Sequence, residues 1–288
     1  MKTRALFVPS VLLLLGIGSG ILFAQKNYRD ITYPKLHDIQ VPKVEQATLS
    51  NGIKVFLLED NELPLINLRA MIRTGSVYEP ADKVGLADIT GTVMRTGGTE
   101  NHTGDEIDEI LEGIAAHVET WIGETSGGAS MSVLKQDLNT GLSLLADILM
   151  NPVFDKNKIE LAKVSHRSSI SRRNDQVSSI ANREFTKLIY GPESAYARTT
   201  EYSTINKITR DDLIEFHKKF YHPNNVRMAV WGNFNTKDMI NKLEAVFKKW
   251  KKSKLEIPPV PQVNYDFRQT VNLIKKEDVN QTDVIMGQ

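Results

Sequence analysis

The sequence predicts an α+β fold, a mostly antiparallel sheet with helices packed on it. Two observations carry that expectation. Apolar alternation of period two comes in hairpin-like pairs, over Ala47–Leu58 and Val118–Leu134, each joined by a glycine-containing turn. Helical spacing then recurs in successive segments from Gln136 to Phe220 with no strand between them, unlike the strand–helix alternation of a parallel sheet.

The elements follow in order. In the first hairpin, Asn51-Gly52 supplies the two positive-φ residues of a tight turn. Leu65–Thr74 reads as a strand, with Ile66, Leu68 and Ala70 on one face and Leu65, Asn67 and Arg69 on the other. Val84–Met94 is helix-like and closed by Gly97-Gly98. Thr103 caps a second helix whose first turn holds Asp105 and Glu106. Val118–Ile122 and Ala129–Leu134 form two strands around a Ser126-Gly127-Gly128 turn. Helices follow over Gln136–Met150, Asp155–Arg173, Val177–Tyr190 and Thr209–Phe220, then a strand Val226–Trp231 and a last helix Thr236–Trp250. The order is β-β-β-α-α-β-β-α-α-α-α-β-α.

Composition excludes several classes of chemistry. With no cysteine, there is no disulfide, thiolate zinc site, iron–sulfur cluster or cysteine nucleophile. A net charge of +1, from 36 basic and 35 acidic residues, gives no reason to expect nucleic acid as a partner. At the N-terminus Lys2 and Arg4 precede the apolar run Ala5–Ala24, and polar sequence begins at Gln25. This reads as a secretory signal peptide over 1–24, with an uncleaved membrane anchor as the competing reading. The chain is therefore expected to be exported to the periplasm or cell envelope of a bacterium, touching membrane only through that segment if it is uncleaved. Residues 25–44 read as an extended lead-in, 45–252 as the main domain, and 253–262, with Pro258, Pro259 and Pro261, as a linker. Within 263–288, Thr270–Ile274 and Thr282–Met286 read as the first strands of a second, truncated domain.

Several of these segments resemble the family of insulinase, pitrilysin and the mitochondrial processing peptidases. The resemblance runs from about Ala47 to the C-terminus. It rests on Leu49-Ser50-Asn51-Gly52-Ile53-Lys54-Val55, on Gly75-Ser76-Val77-Tyr78-Glu79-Pro80 and on Val84-Gly85-Leu86-Ala87-Asp88. Leu144–Phe154, Phe216-His217, Tyr221-His222-Pro223-Asn224-Asn225 and Val230-Trp231-Gly232-Asn233-Phe234 continue it in the same order. The resemblance implies the metallohydrolase domain of that family, as the N-terminal half of a member with a homologous second domain.

Active members of the family carry His-x-x-Glu-His after the Gly-Leu-Ala element, on a helix. Two imidazoles four residues apart share one helical face and hold one zinc. The glutamate between them deprotonates the zinc-bound water, and a glutamate from a later helix is the third ligand. Here the same stretch reads Asp88-Ile89-Thr90-Gly91-Thr92. Asp88 and Thr92 stand at the histidine positions and Gly91 at the base. The third-ligand position falls at Ser169 or Ser168, by alignment through Arg172-Arg173-Asn174-Asp175. Only Asp88 keeps a group able to touch a metal, so this chain is expected to hold no cofactor, and zinc is expected only in an active partner.

The six histidines, His37, His102, His117, His166, His217 and His222, form no pair at metal spacing. His166 lies one turn from the third-ligand position with Asp88 as its conceivable partner, the one place where a metal site could have been rebuilt. His217 and His222 read as packing or capping residues, and the acidic cluster Glu106, Asp108, Glu109 and Glu112 as a solvated face. Ser126-Gly127-Gly128 has neither a phosphate-loop lysine nor a Rossmann strand before it, and no Gly-x-Ser-x-Gly elbow is present.

Family members enclose peptides in clam-shell chambers, often pairing a catalytic subunit with a non-catalytic homologue and holding the peptide as an added strand. The corresponding segment is Val118–Ile122, with Glu119 and Trp121 on one face as candidate substrate-binding residues. Read as an ordinary strand, the same residues pack an aromatic against a helix. The leading expectation is a non-catalytic subunit, inactive by itself, in a heterodimer or hetero-oligomer with a catalytic homologue that acts on a peptide substrate. The alternatives are a peptide- or protein-binding scaffold without proteolysis and a metalloendopeptidase with a rebuilt site.

Overall fold

The computed structural model describes residues 28–287 apart from 32, 37, 39, 40, 255, 264–268 and 278. The signal-peptide segment 1–24, the first residues of the lead-in and His37 lie outside the described residues. The chain divides after Pro42 into two units. The first contains a 3₁₀ turn at Tyr28–Asp30. The second, from Lys43, holds the sheet and the helices.

The described strands are β1 (Glu45–Thr48), β2 (Lys54–Glu59), β3 (Leu65–Ile72), β4 (His117–Ile122), β5 (Gly127–Leu134) and β6 (Val226–Gly232). They form one sheet in the order β1-β2-β6-β3-β5-β4. Every pairing is antiparallel except β2 with β6, which is parallel. The described helices are α1 (Leu86–Thr96), α2 (Gly104–Gly113), α3 (Leu138–Met150), α4 (Lys156–Arg172), α5 (Val177–Tyr190), α6 (Tyr202–Lys207), α7 (Arg210–Phe220) and α8 (Thr236–Phe247). The α+β expectation holds.

Alternation along the strands decides where the core sits. In β3 and β6, Ile66, Leu68, Ala70, Ile72, Val226, Met228 and Val230 are buried, while Arg69, Met71, Arg227 and Trp231 face outward. Helices α1, α3 and α8 pack against the strands and meet this apolar side. Phe154, Phe220 and Phe247 are among the largest fully buried side chains, and truncating such a group costs about 3–5 kcal/mol. Thr103 caps α2 in a complete capping box with Glu106, and Asp155 caps α4.

The structure corrects the turn and boundary expectations in several places. Only Gly52 of Asn51-Gly52 has positive φ, at 97°. The loop is closed instead by Leu49 N–H donating to the Ile53 carbonyl at 2.9 Å and Gly52 N–H to the Leu49 carbonyl at 2.8 Å. Asn51 turns inward, and its amide donates to the Phe247 carbonyl at 2.9 Å. Gly127 and Gly128 belong to β5 rather than to the turn, which is Gly123–Ser126. A Cβ at Gly128 would stand 2.0 Å from the Ala70 carbonyl oxygen, so close approach to β3 requires glycine there. Helix α6 was not expected. Thr270–Ile274 and Thr282–Met286 form no strands: Val271, Leu273, Val284 and Met286 are exposed and pair with no neighbouring strand.

Candidate functional site

Helix α1 carries three of the four altered positions, and its placement is set by a side chain outside it. Its N-cap, Gly85, has φ 106° and no side chain to cap with. The buried carboxylate of Glu79 takes that role, accepting the Gly85 amide at 3.2 Å and the Ala87 amide at 2.5 Å. Burial pushes the Glu79 carboxyl up to about 7, opposed by the Ala87 and Gly85 amides and reinforced by the negative charge of Asp88.

From that start Asp88 and Thr92 fall one turn apart on the exposed side of α1, and Gly91 falls on the buried side. There it meets β4 directly. A Cβ on Gly91 would lie 2.5 Å from the Ile122 nitrogen and 2.9 Å from the Trp121 carbonyl carbon, both main-chain atoms. The Thr120 hydroxyl donates to the Gly91 carbonyl at 2.6 Å and locks helix to strand. The position aligned above with the family's base therefore has neither a carboxylate nor the volume a side chain would need.

Helix α4 brings His166 to Asp88, with Nε2 2.9 Å from Oδ2. The two side chains considered above as partners in a rebuilt metal site are in direct contact with each other. Ser169, one turn on, turns its hydroxyl back to the Ser165 carbonyl at 3.1 Å, so it neither joins the pair nor serves His166 as a nucleophile. The family's zinc needs three protein ligands and a base, and these residues do not fit it. Among the described residues, no group of three or more His, Cys, Asp or Glu could hold a metal ion.

The other histidines lie elsewhere. His217 is buried, with Nε2 3.0 Å from the Leu149 carbonyl oxygen and its ring stacked on Tyr221. Burial lowers its pKa to about 4. His222 places Nε2 3.1 Å from the Lys219 carbonyl oxygen. His102 stands 4.0 Å from Asp147, and His117 is exposed on β4.

Strand β4 is one edge of the sheet, paired among the described strands with β5 alone. Glu119 is exposed and 3.9 Å from Arg95 of α1, whose Nε also donates to the Val118 carbonyl at 3.1 Å. Trp121 is half-buried, with the Arg69 guanidinium 5.5 Å from its ring centroid. Trp121 thus packs on its own sheet rather than against a helix, and Glu119 lies on the same exposed face beside Arg95.

On its other side His166 borders an open cleft of about 400 Å³, lined also by Ser169, Arg173, Arg183, Tyr196 and Arg198. Sequence reading did not assemble this cleft, because its three arginines come from separate elements. Nor did it find the capping role of Glu79, although Glu79 stands in one of the motif blocks.

Comparison with known proteins identifies the family and the fold. Residues 54–197 match the family described as Insulinase (Peptidase family M16), and residues 207–288 match the Peptidase M16 inactive domain. An uncharacterized zinc protease of Rickettsia felis is 22% identical over 243 residues, covering 84% of this chain and 57% of that protein. The chain spans about half the length of the curated relatives it matches. A peptidase M16 inactive domain from Pseudomonas fluorescens superposes with a TM-score of 0.71 at 23% identity, covering 77% of this chain and 54% of that one. The first half of the periplasmic protease PqqL from Escherichia coli superposes with a TM-score of 0.67 at 20% identity, covering 76% and 49%. The chain belongs to the insulinase family, peptidase family M16.

Proposed function

We propose that this chain is a non-catalytic member of the family that supplies part of a peptide-enclosing chamber, with the zinc and the general base coming from a homologous partner subunit. Peptides would be processed or degraded by that assembly in the bacterial envelope. The observation that carries the reading is the closure of the base position: Gly91 abuts the main chain of Trp121 and Ile122, while Asp88 is taken up by His166. At Gly91 the close approach of helix to strand leaves no room for a glutamate side chain, which supports a non-catalytic role. The free edge of β4 supports a retained role in peptide binding. Export is supported by the basic and apolar N-terminal sequence.

The test is purification of the full chain with whatever co-purifies, followed by zinc analysis of each polypeptide and a peptide-hydrolysis assay. Zinc in a homologous partner and none in this chain is the expected result, with hydrolysis nearly unchanged by Asp88→Ala or Thr92→Ala. One zinc bound to the isolated chain, or a large loss of activity in either variant, would overturn the proposal. A chain that binds peptide with no zinc-bearing partner would be the scaffold.

A further inference from the structure

The cleft beside His166 has a composition that the erased peptidase chemistry does not explain. Three guanidinium groups line it, Arg173 at the end of α4, Arg183 on α5 and Arg198 on the segment before α6, and no carboxylate does. Two of the three are held in place by neighbours. Arg173 pairs with Glu201 at 2.7 Å and also donates to the Thr200 carbonyl. Arg183 pairs with Glu184 at 3.1 Å, a carboxylate shared with Lys187, and donates to Asn174 at 2.9 Å.

Arg198 differs from both. Its Nη1 donates to the main-chain oxygen of Glu79 at 2.7 Å, and among the described residues it makes no ion pair, though its charge acts on the Glu79 carboxyl. The nearby Glu79 carboxylate is committed to the amides at the start of α1, and burial holds its pKa near neutrality, so it offsets the guanidinium incompletely. A guanidinium with spare donors, in a cleft whose lining residues include no carboxylate, has the chemistry to hold an anion.

We infer that this cleft binds a carboxylate side chain of a peptide, with Arg198 as the principal contact and Arg173 and Arg183 supplying a positive surround. Ion pairs already fix Arg173 and Arg183, and the Glu79 carbonyl holds Arg198, so less side-chain entropy is lost when the anion arrives. The inference rests on the reading that this chain handles peptides. It adds that the bound peptides are acidic, selected beside the altered centre at Asp88 and Ser169 rather than along β4 alone.

The experiment measures binding of a fluorescein-labelled glutamate-rich peptide and of its glutamine counterpart to the full chain at low salt. The acidic peptide is expected to bind about tenfold tighter, the worth of one charge-assisted contact. That advantage should shrink as salt rises. R198Q should remove most of the difference while leaving the glutamine peptide unaffected. Equal binding of the two peptides by the unaltered chain would overturn the inference whatever the variant does, and would leave the partner-subunit reading standing. Tight binding of inorganic phosphate without any preference for the acidic peptide would overturn it as well. Loss of the partner complex with the acidic preference intact would instead count against the partner-subunit reading alone.

Discussion

The Glu79 carboxylate accepts the Ala87 amide at 2.5 Å, so one buried acid fixes where α1 begins. Its proton has a thermodynamic consequence. Burial raises its pKa from 4.5 to about 7, so between those values the folded chain holds a proton that the unfolded chain has released. Stability contributed there falls as pH rises. His217 behaves oppositely. Burial lowers it from 6.5 to about 4, so the unfolded chain binds the extra proton and stability rises with pH across that interval. The two slopes oppose between about 4.5 and 6.5. In urea unfolding, Glu79→Gln should make stability climb with pH across this window, and His217→Asn should make it decline. Slopes of the same sign in both variants would refute the assignment.

Gly91 yields a second prediction. Alanine ordinarily stabilises a helix interior by about 1 kcal/mol over glycine. Here its Cβ would press on the main chain of β4, which cannot turn aside as a side-chain tip can. Gly91→Ala should therefore destabilise by about 1–3 kcal/mol, the cost of overpacking. Rebuilding the motif as Asp88→His, Gly91→Glu, Thr92→His and Ser169→Glu should lower the melting temperature and yield no peptide hydrolysis. A hydrolytically active rebuilt chain would show that β4 yields readily.

The bond between Asp88 and His166 ties α1 to α4 across the altered centre. Asp88 is largely exposed, so the pair is screened and should be worth about 0.5–1 kcal/mol. A double-mutant cycle with Asp88→Ala and His166→Ala, read by chemical denaturation, should return a coupling of that size. A coupling several times larger would mean that the pair is the main tie between the helices.

Tyr221 is buried, and its hydroxyl finds no hydrogen-bond partner among the described residues. Tyr221→Phe keeps the ring stacked on His217 and discards an unsatisfied polar atom, so stability should rise by about 0.5–1 kcal/mol. A loss on thermal unfolding would reveal a bond to solvent.

Much of the fold was legible because burial writes itself into period. Ile66, Leu68 and Ala70 face the core as their alternation required, and Thr103 caps α2 as its side chain allowed. Glycine misled twice, since it marks turns and close approaches alike. Gly128 is a close approach, and only the register with Ala70 distinguishes the two. At the site, the loss of chemistry at Asp88, Gly91, Thr92 and Ser169 was readable from residue type. The closure behind Gly91 was not, because it depends on Trp121 and Ile122 some thirty positions away. The arginine cleft was hidden for the same reason, its members being brought together only by α4, α5 and the segment before α6.

The place of β6 in the sheet also dictates the order of assembly. β6 sits between β2 and β3, yet it follows all the other described strands in sequence. Until Val226–Gly232 leaves the ribosome, the hairpin β1–β2 and the ribbon β3–β5–β4 share no strand contact and each exposes a raw edge. Between the end of β5 at Leu134 and the start of β6 at Val226, the two pieces have no strand to join them. That long-range closure makes folding slow and vulnerable to mispairing, and a single late strand converts both pieces into one body.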